Sequence, residues 1–458
     1  MKEGVPRGFW GRSRRVLSLA AGVAGQELKL QARAKLASSA GMLGGHELKA
    51  RVEQARLIAE SLGRLKGAFM KAGQLLSIDS SDLLPPEAIE ILSKLQGQAE
   101  PVDFAILHGV LEQELGLEGL AALKSLNPVP AASASIGQVH KAVAFGKTVA
   151  VKIQYPGIAE SIDSDIALLE KLGTSWLSLS RRDIDVSGTF EVLRNILHLE
   201  ADYVRERACL DRFGALLAAD PRFDVPRSVP SLSTSRVLTM GWADGMSLSS
   251  WVQSNPTRSD RDAFARAVLD LYCMEFFEWG LVQTDPNFGN FLIRPADRRI
   301  VLLDFGATVE YSEHFRMSYV SLLRAVGSGD RRRIVDEGVG FGLLDPREQK
   351  ATRDLFAEML LLAAEPFDGR RQPFLFRDPS YAARSRQVAQ HFTRSLSFSP
   401  PPKDLIFLHR KLGGLFHLLR RLDVELDLSP YWQQMVATRV APARAAERPG
   451  TRSGAGDS

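Results

Sequence analysis

The stretch "VQTDPNFGNFLI", residues 282–293, places Asp285 and Asn290 five positions apart, and "RIVLLDFGAT", residues 299–308, adds Asp304. A surface loop can carry such polar residues for solvation alone. Two carboxylates and an amide beside strand-like apolar runs are also oxygen donors of the kind that Mg²⁺ takes together with substrate phosphates. The remainder of the sequence has to decide between these two interpretations.

A lysine and a glutamate elsewhere in the chain bear on that choice. Lys152 lies in "TVAVKIQY", residues 148–155, whose alternation predicts a strand. A lysine in a strand this apolar lies either at a sheet edge or with its side chain in a cleft, and the residue taken alone favours the edge. Glu206 lies within an apolar helical stripe, where a carboxylate needs a cation, since burying it unpaired costs several kcal/mol. Lys152 is the natural partner, and such a pair fixes a lysine where it can hold phosphate oxygens.

The order of these residues along the chain favours chemistry over solvation. A strand lysine comes first and a helical glutamate second. Asp–x4–Asn, another strand and Asp-Phe-Gly follow. This is what a phosphoryl-transfer site of the protein-kinase kind requires, with one aspartate facing the acceptor and the asparagine and second aspartate on metal. We therefore expect Lys152, Asp285, Asn290 and Asp304 to converge on one Mg–nucleotide pocket between two lobes.

Two other segments carry weaker signals. "PAASASIGQVH", residues 130–140, offers small residues through which a backbone can approach phosphates, but its only glycine is Gly137 and alanine lacks glycine's freedom at positive φ. In "LKGAFMKAGQLLS", residues 65–77, Lys71 and Gln74 share a helical face and Gly73 lies mid-helix at a cost of about 1 kcal/mol relative to alanine. A solvated lysine at a helix crossing explains this second segment equally well.

Length and charge limit the classes of protein to which this chain can belong. At 458 residues the chain is long for one domain, and its formal charge is only +4. Residues 1–36 hold eight basic residues against two acidic ones, which fits an amphipathic helix on an anionic bilayer, a transit peptide or a solvated basic arm. No basic stripe continues into the body, which argues against a nucleic-acid partner. No apolar run is long enough to predict a membrane-spanning helix, and two distant cysteines indicate a reducing compartment.

Periodicity divides the chain into segments. We predict a basic amphipathic segment at 1–40, a helical extension at 41–125, a strand-rich lobe with a helical insert at 126–243, a helical lobe at 244–435 and a disordered tail at 436–458. A small strand-rich unit followed by a larger helical one predicts an α+β, two-lobed fold.

The chain resembles the UbiB/AarF/ADCK family of atypical protein-kinase-like proteins. The resemblance covers about residues 60–420 and rests on segments that occur in the family's order: "KAGQLLS", "DLLPPEAIEILSKLQ", "PAASASIGQVHKA", "VAVKIQYPGI", "EADYVRERA", "RVLTMGWADG", "TDPNFGNFL", "LLDFGAT" and "FLHRKLGGLF". It implies a bilobal protein-kinase-like fold with an N-terminal helical extension packed over the active-site cleft.

The resemblance also implies residue roles. It makes Asp285 the catalytic-loop aspartate, Lys152 and Glu206 the ion pair, and Asn290 and Asp304 the Mg²⁺ ligands. The regulatory KxGQ and ExD signatures comprise Lys71, Gly73, Gln74, Glu200 and Asp202. The nucleotide-binding residues comprise the alanine-rich loop and the hinge: Ala131, Ala132, Ser133, Ala134, Ser135, Met240, Gly241, Trp242 and Ala243.

The function implied is a Mg-ATP-dependent ATPase, with ATP or ADP and Mg²⁺ as cofactors, supporting ubiquinone biosynthesis from the cytoplasmic face of a bacterial inner membrane or the mitochondrial matrix side. Expected partners are an anionic lipid surface and quinone-pathway enzymes or lipid intermediates; a homodimer is one assembly to test. The alternatives are a protein or small-molecule kinase and a non-catalytic, nucleotide-gated scaffold that presents lipids. "QTD" replaces the usual His-Arg-Asp, and Ser133 stands where another alanine is expected.

Overall fold

The chain forms two compact units that contain both helices and sheets. The computed structural model describes residues 102–134, 136–167, 170, 187–285, 287–395 and 403–438. Unit 1 contains the described residues up to Leu216 together with Pro226–Ala243, and unit 2 contains Leu217–Val225 and the described residues from Asp244 onward. The mixture of helix and sheet confirms the predicted α+β class.

Unit 1 is built around one antiparallel sheet. Its elements are α1 (Phe104–Ala122), β1 (Ala132–Ser133), β2 (Gly137–Ala144), β3 (Lys147–Gln154), α2 (Ser187–Ala201), α3 (Tyr203–Leu216) and β5 (Val237–Gly241). The sheet has the order β1-β2-β3-β5. Residues 145 and 146 connect β2 to β3 with φ values of 50° and 74°, which suits a two-residue hairpin turn.

The sheet places Lys152 on an interior strand. Lys152 faces Val139 on β2 and Leu238 on β5, so β3 has a hydrogen-bonded neighbour on each side. Of the two alternatives for Lys152, the sheet edge is therefore excluded. A lone residue cannot show how many strands will flank its own, because that depends on the long-range pairing of β3 with β5.

The predicted apolar stripe around Glu206 is present on α3. Tyr203, Leu210 and Phe213 are buried with Glu206 on one face of this helix. Asp202 precedes the helix, and its Oδ1 accepts a hydrogen bond of 2.9 Å from the Arg205 amide, which caps the first turn. The capping bond and the buried face fix both the start and the rotation of α3.

Unit 2 combines short strands with many helices. Its strands are β4 (Phe223–Asp224), β6 (Met246–Ser247), β7 (Leu281–Gln283), β8 (Phe291–Ile293), β9 (Ile300–Leu302), β10 (Thr308–Glu310), β11 (Phe374–Leu375) and β12 (Glu425–Leu426). Its helices are α4 (Leu248–Gln253), α5 (Arg258–Cys273), α6 (Glu313–Ser328), α7 (Arg331–Gly340), α8 (Lys350–Ala364), α9 (Pro379–Ser395), α10 (Lys403–Leu422) and α11 (Ser429–Ala437). A π-helical turn, Met274–Trp279, continues α5.

The sheets of unit 2 account for its boundaries. One sheet has the order β4-β9-β8-β6, and β7 pairs with β10 in another. Because β4 pairs with β9, residues 217–225 belong to unit 2 although unit 1 resumes after them. The strand-like run before Asp304 forms β9 over Ile300–Leu302, and the lobe predicted to be helical, residues 244–435, also contains β11 and β12.

Several predicted segments fall outside the described residues. These are the basic segment 1–40, the extension up to residue 101, residues 171–186 of the helical insert and the tail beyond residue 438. Their structure stays a prediction. The described helix α11 runs to Ala437, so the predicted disordered tail cannot begin at residue 436.

The chain reaches β7 through a left-handed glycine packed on a buried arginine. Gly280 ends the π-helical turn at φ 66°, and a Cβ placed there would lie 3.0 Å from Arg316 Nε. Arg316 is fully buried, and its Nη1 donates to the Phe277 carbonyl at 3.1 Å. This close approach sets where β7 begins and, through β7, where Asp285 lies.

We predict that Gly280→Ala destabilises the protein more than Gly329→Ala. Gly329 also has a positive φ, 71°, but its Cβ position is open space, so its substitution costs only left-handed strain of about 1–2 kcal/mol. Gly280→Ala adds overpacking against Arg316, typically about 1–3 kcal/mol. Urea unfolding of both variants measures the difference. Equal losses would show that the contact with Arg316 does not constrain the turn.

Candidate functional site

The strands of unit 2 bring Asp285, Asn290 and Asp304 together. Asn290 directly precedes β8, and β9 ends just before Asp304. In the β8–β9 pair Phe291 faces Leu302, and the Leu303 amide donates to the Asn290 carbonyl at 3.1 Å. In the β7–β10 pair Gln283 faces Thr308, which places Asp285 beside the Asp304 segment. The ends of two antiparallel pairs therefore converge on the three predicted residues.

Gln283 joins the two aspartate segments directly. Its Nε2 donates to the Asp285 carbonyl at 3.0 Å and to the Asp304 carbonyl at 3.3 Å, while its Oε1 accepts from the Asp285 amide at 3.1 Å. Gln283 is 7% exposed, so these bonds are largely shielded from water. The side chain thus fixes the spacing between the backbones of the two acids.

Thr284 anchors the same segment from its other side. Its amide and its hydroxyl both donate to the Ala307 carbonyl, at 3.0 and 2.6 Å, and the residue is fully buried. Thr284 occupies the position where the usual motif has arginine before the aspartate. A short hydroxyl side chain here bonds the residue that follows the Asp-Phe-Gly segment instead of carrying a charge.

The three residues suit a hard cation by the chemistry of their atoms. Asn290 Nδ2 donates to the Asp285 carbonyl at 2.8 Å, which directs the amide oxygen away as the atom able to bind a cation. Asp304 Oδ1 accepts from the Gly306 amide at 2.9 Å, which orients its carboxylate. All three side chains are partly exposed. One amide oxygen and one carboxylate fit the one or two protein ligands that Mg²⁺ usually takes.

In unit 1 the structure confirms the predicted contact between Lys152 and Glu206. The lysine Nζ lies 2.7 Å from Oε1 and 2.8 Å from Oε2 of the glutamate. The two residues are 7% and 1% exposed, and the Tyr203 ring lies 5.0 Å from the ammonium. A carboxylate and an aromatic face thus hold this lysine in one orientation. Its role toward a nucleotide stays a prediction.

The alanine-rich stretch is a short strand rather than a free loop. Ala132 and Ser133 form β1 opposite Val139 and Gln138. The Ala131 amide donates to the Val139 carbonyl at 2.8 Å and the Ala134 amide to the Gly137 carbonyl at 2.9 Å. These two amides are therefore already engaged within the sheet, which narrows the donors that a phosphate could meet here. Ser135 lies outside the described residues.

Gly137 is required for packing. A Cβ at this position would lie 2.4 Å from the Ile153 carbonyl oxygen and 2.8 Å from the Tyr203 hydroxyl. Both contacts are far below the van der Waals distance, so only glycine fits between β3 and α3. The glycine of "ASIGQ" thus fixes the approach of the helix that carries Glu206, whatever it does for phosphates.

The predicted hinge ends unit 1. The Gly241 amide donates to the Arg227 carbonyl at 2.9 Å and the Trp242 amide to the Thr148 carbonyl at 3.0 Å. Met240 is buried, and Ala243 is the last residue of the unit. The amides of Gly241 and Trp242 are thus already engaged within unit 1. Contacts of this segment with adenine stay a prediction.

The two regulatory signatures are only partly described. Lys71, Gly73 and Gln74 lie outside the described residues. Glu200 is buried near the end of α2, whereas Asp202 is exposed and caps α3. The capping role of Asp202 is structural, and the proximity of these acids to Lys71 stays a prediction.

Helix α10 supplies two cations that sequence reasoning did not assign. Arg410 Nη2 lies 2.9 Å from Asp285 Oδ1, and Lys411 Nζ lies 2.6 Å from Glu275 Oε2. Burial raises the pKa of Glu275, and the charge of Lys411 partly offsets this. Glu275 Oε1 accepts from the Gln283 amide at 3.4 Å. The only available signal was the family-like segment "FLHRKLGG", which names no contact.

The ABC1 atypical kinase-like domain matches residues 94–337 of the chain. The chain belongs to this family. The match confirms the resemblance to UbiB/AarF/ADCK proteins and the kinase-like fold, and it identifies the protein as a kinase-like enzyme.

Relatives with curated names extend the match beyond this domain. The chain is 33% identical to the atypical kinase COQ8, mitochondrial, of Saccharomyces cerevisiae, over 84% of this chain and 76% of the yeast protein. It is 35% identical to the atypical kinase COQ8B, mitochondrial, of Danio rerio, over 81% of this chain. In that second case the alignment covers only 59% of the relative's length.

A solved structure has a similar fold. The Mycobacterium tuberculosis protein Rv3197, determined in complex with erythromycin, aligns with a TM-score of 0.57 and 27% sequence identity. The alignment covers 87% of this chain and 99% of that protein. The family fold thus extends over most of both chains.

We predict that Lys152→Met destabilises the protein by about 3–5 kcal/mol, because Glu206 would keep its buried charge without the lysine. The double variant Lys152→Met/Glu206→Leu should recover much of this loss, since it removes both charges. Urea unfolding of the four proteins of this cycle gives the coupling energy. A double variant as unstable as the single one would refute a mutual dependence of the two charges.

We also predict that Gln283→Glu destabilises the protein by about 1–3 kcal/mol at neutral pH. The substitution removes the Nε2 donor and sets a carboxylate oxygen against the carbonyls of Asp285 and Asp304. The deficit should shrink on acidification, because a protonated glutamate again offers an O–H donor. Urea unfolding midpoints of the wild type and the variant, measured between pH 4 and pH 8, test this prediction. A deficit that is independent of pH would contradict the donor role.

Proposed function

We propose that the protein hydrolyses ATP in a Mg²⁺-dependent reaction at the site formed by Asp285, Asn290 and Asp304. The observation that carries the proposal is the convergence of these three residues at the ends of two strand pairs, tied together by Gln283. Membership of the ABC1 atypical kinase-like family supports it, because kinase-like folds use this set of groups for phosphoryl transfer.

Each residue has a distinct task in this proposal. Asn290 and Asp304 would hold Mg²⁺, which when bound neutralises charge on the phosphate oxygens. Lys152, oriented by Glu206, would hold phosphate oxygens. Asp285 would orient the attacking oxygen by accepting its proton, a role that suits a partly exposed carboxylate.

The setting we propose is ubiquinone biosynthesis at a membrane surface. The motivating observations are the similarity to the COQ8 proteins and the basic segment that precedes the described residues. Within the described part of the chain no helix is long and apolar enough to cross a membrane. The association we propose is peripheral and driven by basic residues on anionic lipid, with quinone-pathway enzymes or lipid intermediates as partners.

Phosphate transfer to a protein or small molecule is the second candidate. Relatives are named atypical kinases, and one from Dictyostelium discoideum, 32% identical, is named a probable serine/threonine-protein kinase. The aspartate needed for transfer is present as Asp285. Radiolabelled ATP separates the candidates: free phosphate indicates hydrolysis, and label retained on protein or lipid indicates transfer.

We predict that Asp304→Asn lowers Mg²⁺-dependent phosphate release about a hundredfold or more, because the metal loses its carboxylate ligand. The fold should remain intact, since the Gly306 amide can still donate to the remaining amide oxygen. Asp336→Asn, at an exposed position on α7, serves as the matched control and should retain wild-type turnover.

Phosphate release is measured on anionic liposomes with Mg²⁺ and with chelator, and the unfolding midpoint is recorded for each variant. Unchanged turnover in Asp304→Asn would refute the mechanism. Nucleotide binding without turnover in the wild type, even with lipid present, would favour the non-catalytic scaffold instead.

A further inference from the structure

The Asp285 carboxylate receives its cation from a distant helix. Thr284, the residue before it, carries no charge and bonds the Ala307 carbonyl. Arg410 Nη2 on α10 instead lies 2.9 Å from Asp285 Oδ1. The two side chains are 7% and 13% exposed, so solvent screens the pair only in part. Asp285 is thus charge-paired across 125 residues of sequence.

The neighbouring residue on α10 fixes the helix against the same segment. Lys411 forms a buried pair with Glu275, whose other oxygen accepts from the Gln283 amide. Adjacent helical residues point in different directions. Helix α10 therefore contacts the Asp285 carboxylate through Arg410, and it is linked to β7 through the Lys411–Glu275 pair. A shift of α10 would therefore move the Asp285 carboxylate.

The pair is poorly arranged for stability alone. Arg410 bonds Asp285 through one nitrogen, and its Nη1 is buried without a hydrogen-bond partner in the described part of the chain. Burying a partly satisfied guanidinium is unfavourable, whereas a bidentate pair would use the fork of donors. A local arrangement that costs stability is typical of a functional site.

The contact also distinguishes the two oxygens of Asp285. Arg410 engages Oδ1, while Oδ2 lies on the side of Asn290, 3.5 Å from its Nδ2. The arginine thereby sets the rotation of the carboxylate and directs Oδ2 toward the predicted metal ligand. A positioned carboxylate oxygen is what proton acceptance from an attacking oxygen requires.

We propose that Arg410 is a positioning residue for the phosphoryl-transfer reaction, which orients Asp285 from α10 in place of a cation within the Asp285 segment. This inference rests on the proposed function, since it concerns the same site. Arg410 acts through Asp285 and does not itself touch the reacting atoms. Its removal should therefore slow turnover more than it weakens nucleotide binding.

The test compares Arg410→Met, Arg410→Lys and the matched control Arg420→Met in the full chain. Arg420 lies on the same helix but is exposed. With Mg-ATP as substrate, Arg410→Met should lower kcat about tenfold to a hundredfold, as expected for a misplaced reacting group, with little change in KM.

Arg410→Lys keeps the positive charge, so its kcat should fall by less than that of Arg410→Met, again with little change in KM. Arg420→Met should match the wild type in both readouts. If Arg410→Met does not fold, Arg410→Lys carries the test through its reduced kcat per folded molecule. Folded fractions are measured by circular dichroism for every variant.

Three results would overturn the inference. A wild-type kcat and KM in folded Arg410→Met would do so and leave the proposed function standing. Activity losses that only follow the folded fraction would reduce Arg410 to a structural residue. A wild-type protein without Mg²⁺-dependent turnover would remove the proposed function and this inference together, and that outcome is recognisable before any variant is made.

Discussion

The hydrogen bonds of one side chain, Gln283, hold the Asp285 and Asp304 segments of unit 2 at a fixed spacing. Gln283 bonds the backbone of Asp285 and that of Asp304, in addition to the strand pairing that brings the two segments together. Strand pairs of three residues are short, so their ends need such a side-chain tie to keep a constant spacing. Because the amide is nearly buried, its bonds gain from the low local dielectric constant.

A second constraint reaches the same residues from far along the chain. Helix α10 contributes Arg410 to Asp285 and Lys411 to Glu275, and Glu275 in turn meets the Gln283 amide. The π-helical turn that carries Glu275 is a conformation often found at functional sites. It redirects the chain into Gly280, where the close approach of Arg316 fixes the start of β7. Stability and site geometry therefore share the same contacts in this region.

In unit 1 a different set of contacts fixes the orientation of Lys152. Lys152 is held by a charge pair with Glu206 and by the face of Tyr203, and the approach of α3 to β3 is possible because Gly137 has no side chain. An interior position on the sheet removes the freedom that a lysine has at an edge. The fold itself thus holds the ammonium in one orientation.

The sequence by itself determined the α+β class, the family and the pairing of Lys152 with Glu206, because these depend on periodicity, on motif order and on the rule that a buried carboxylate needs a cation. It also gave Asp285, Asn290 and Asp304 as one group from their spacing beside strands. The tertiary structure alone decided that β3 is interior, that Gln283 ties the two aspartate segments and that Arg410 reaches Asp285. These contacts join residues through pairing and packing across long stretches of chain, and local sequence patterns carry no record of such distances.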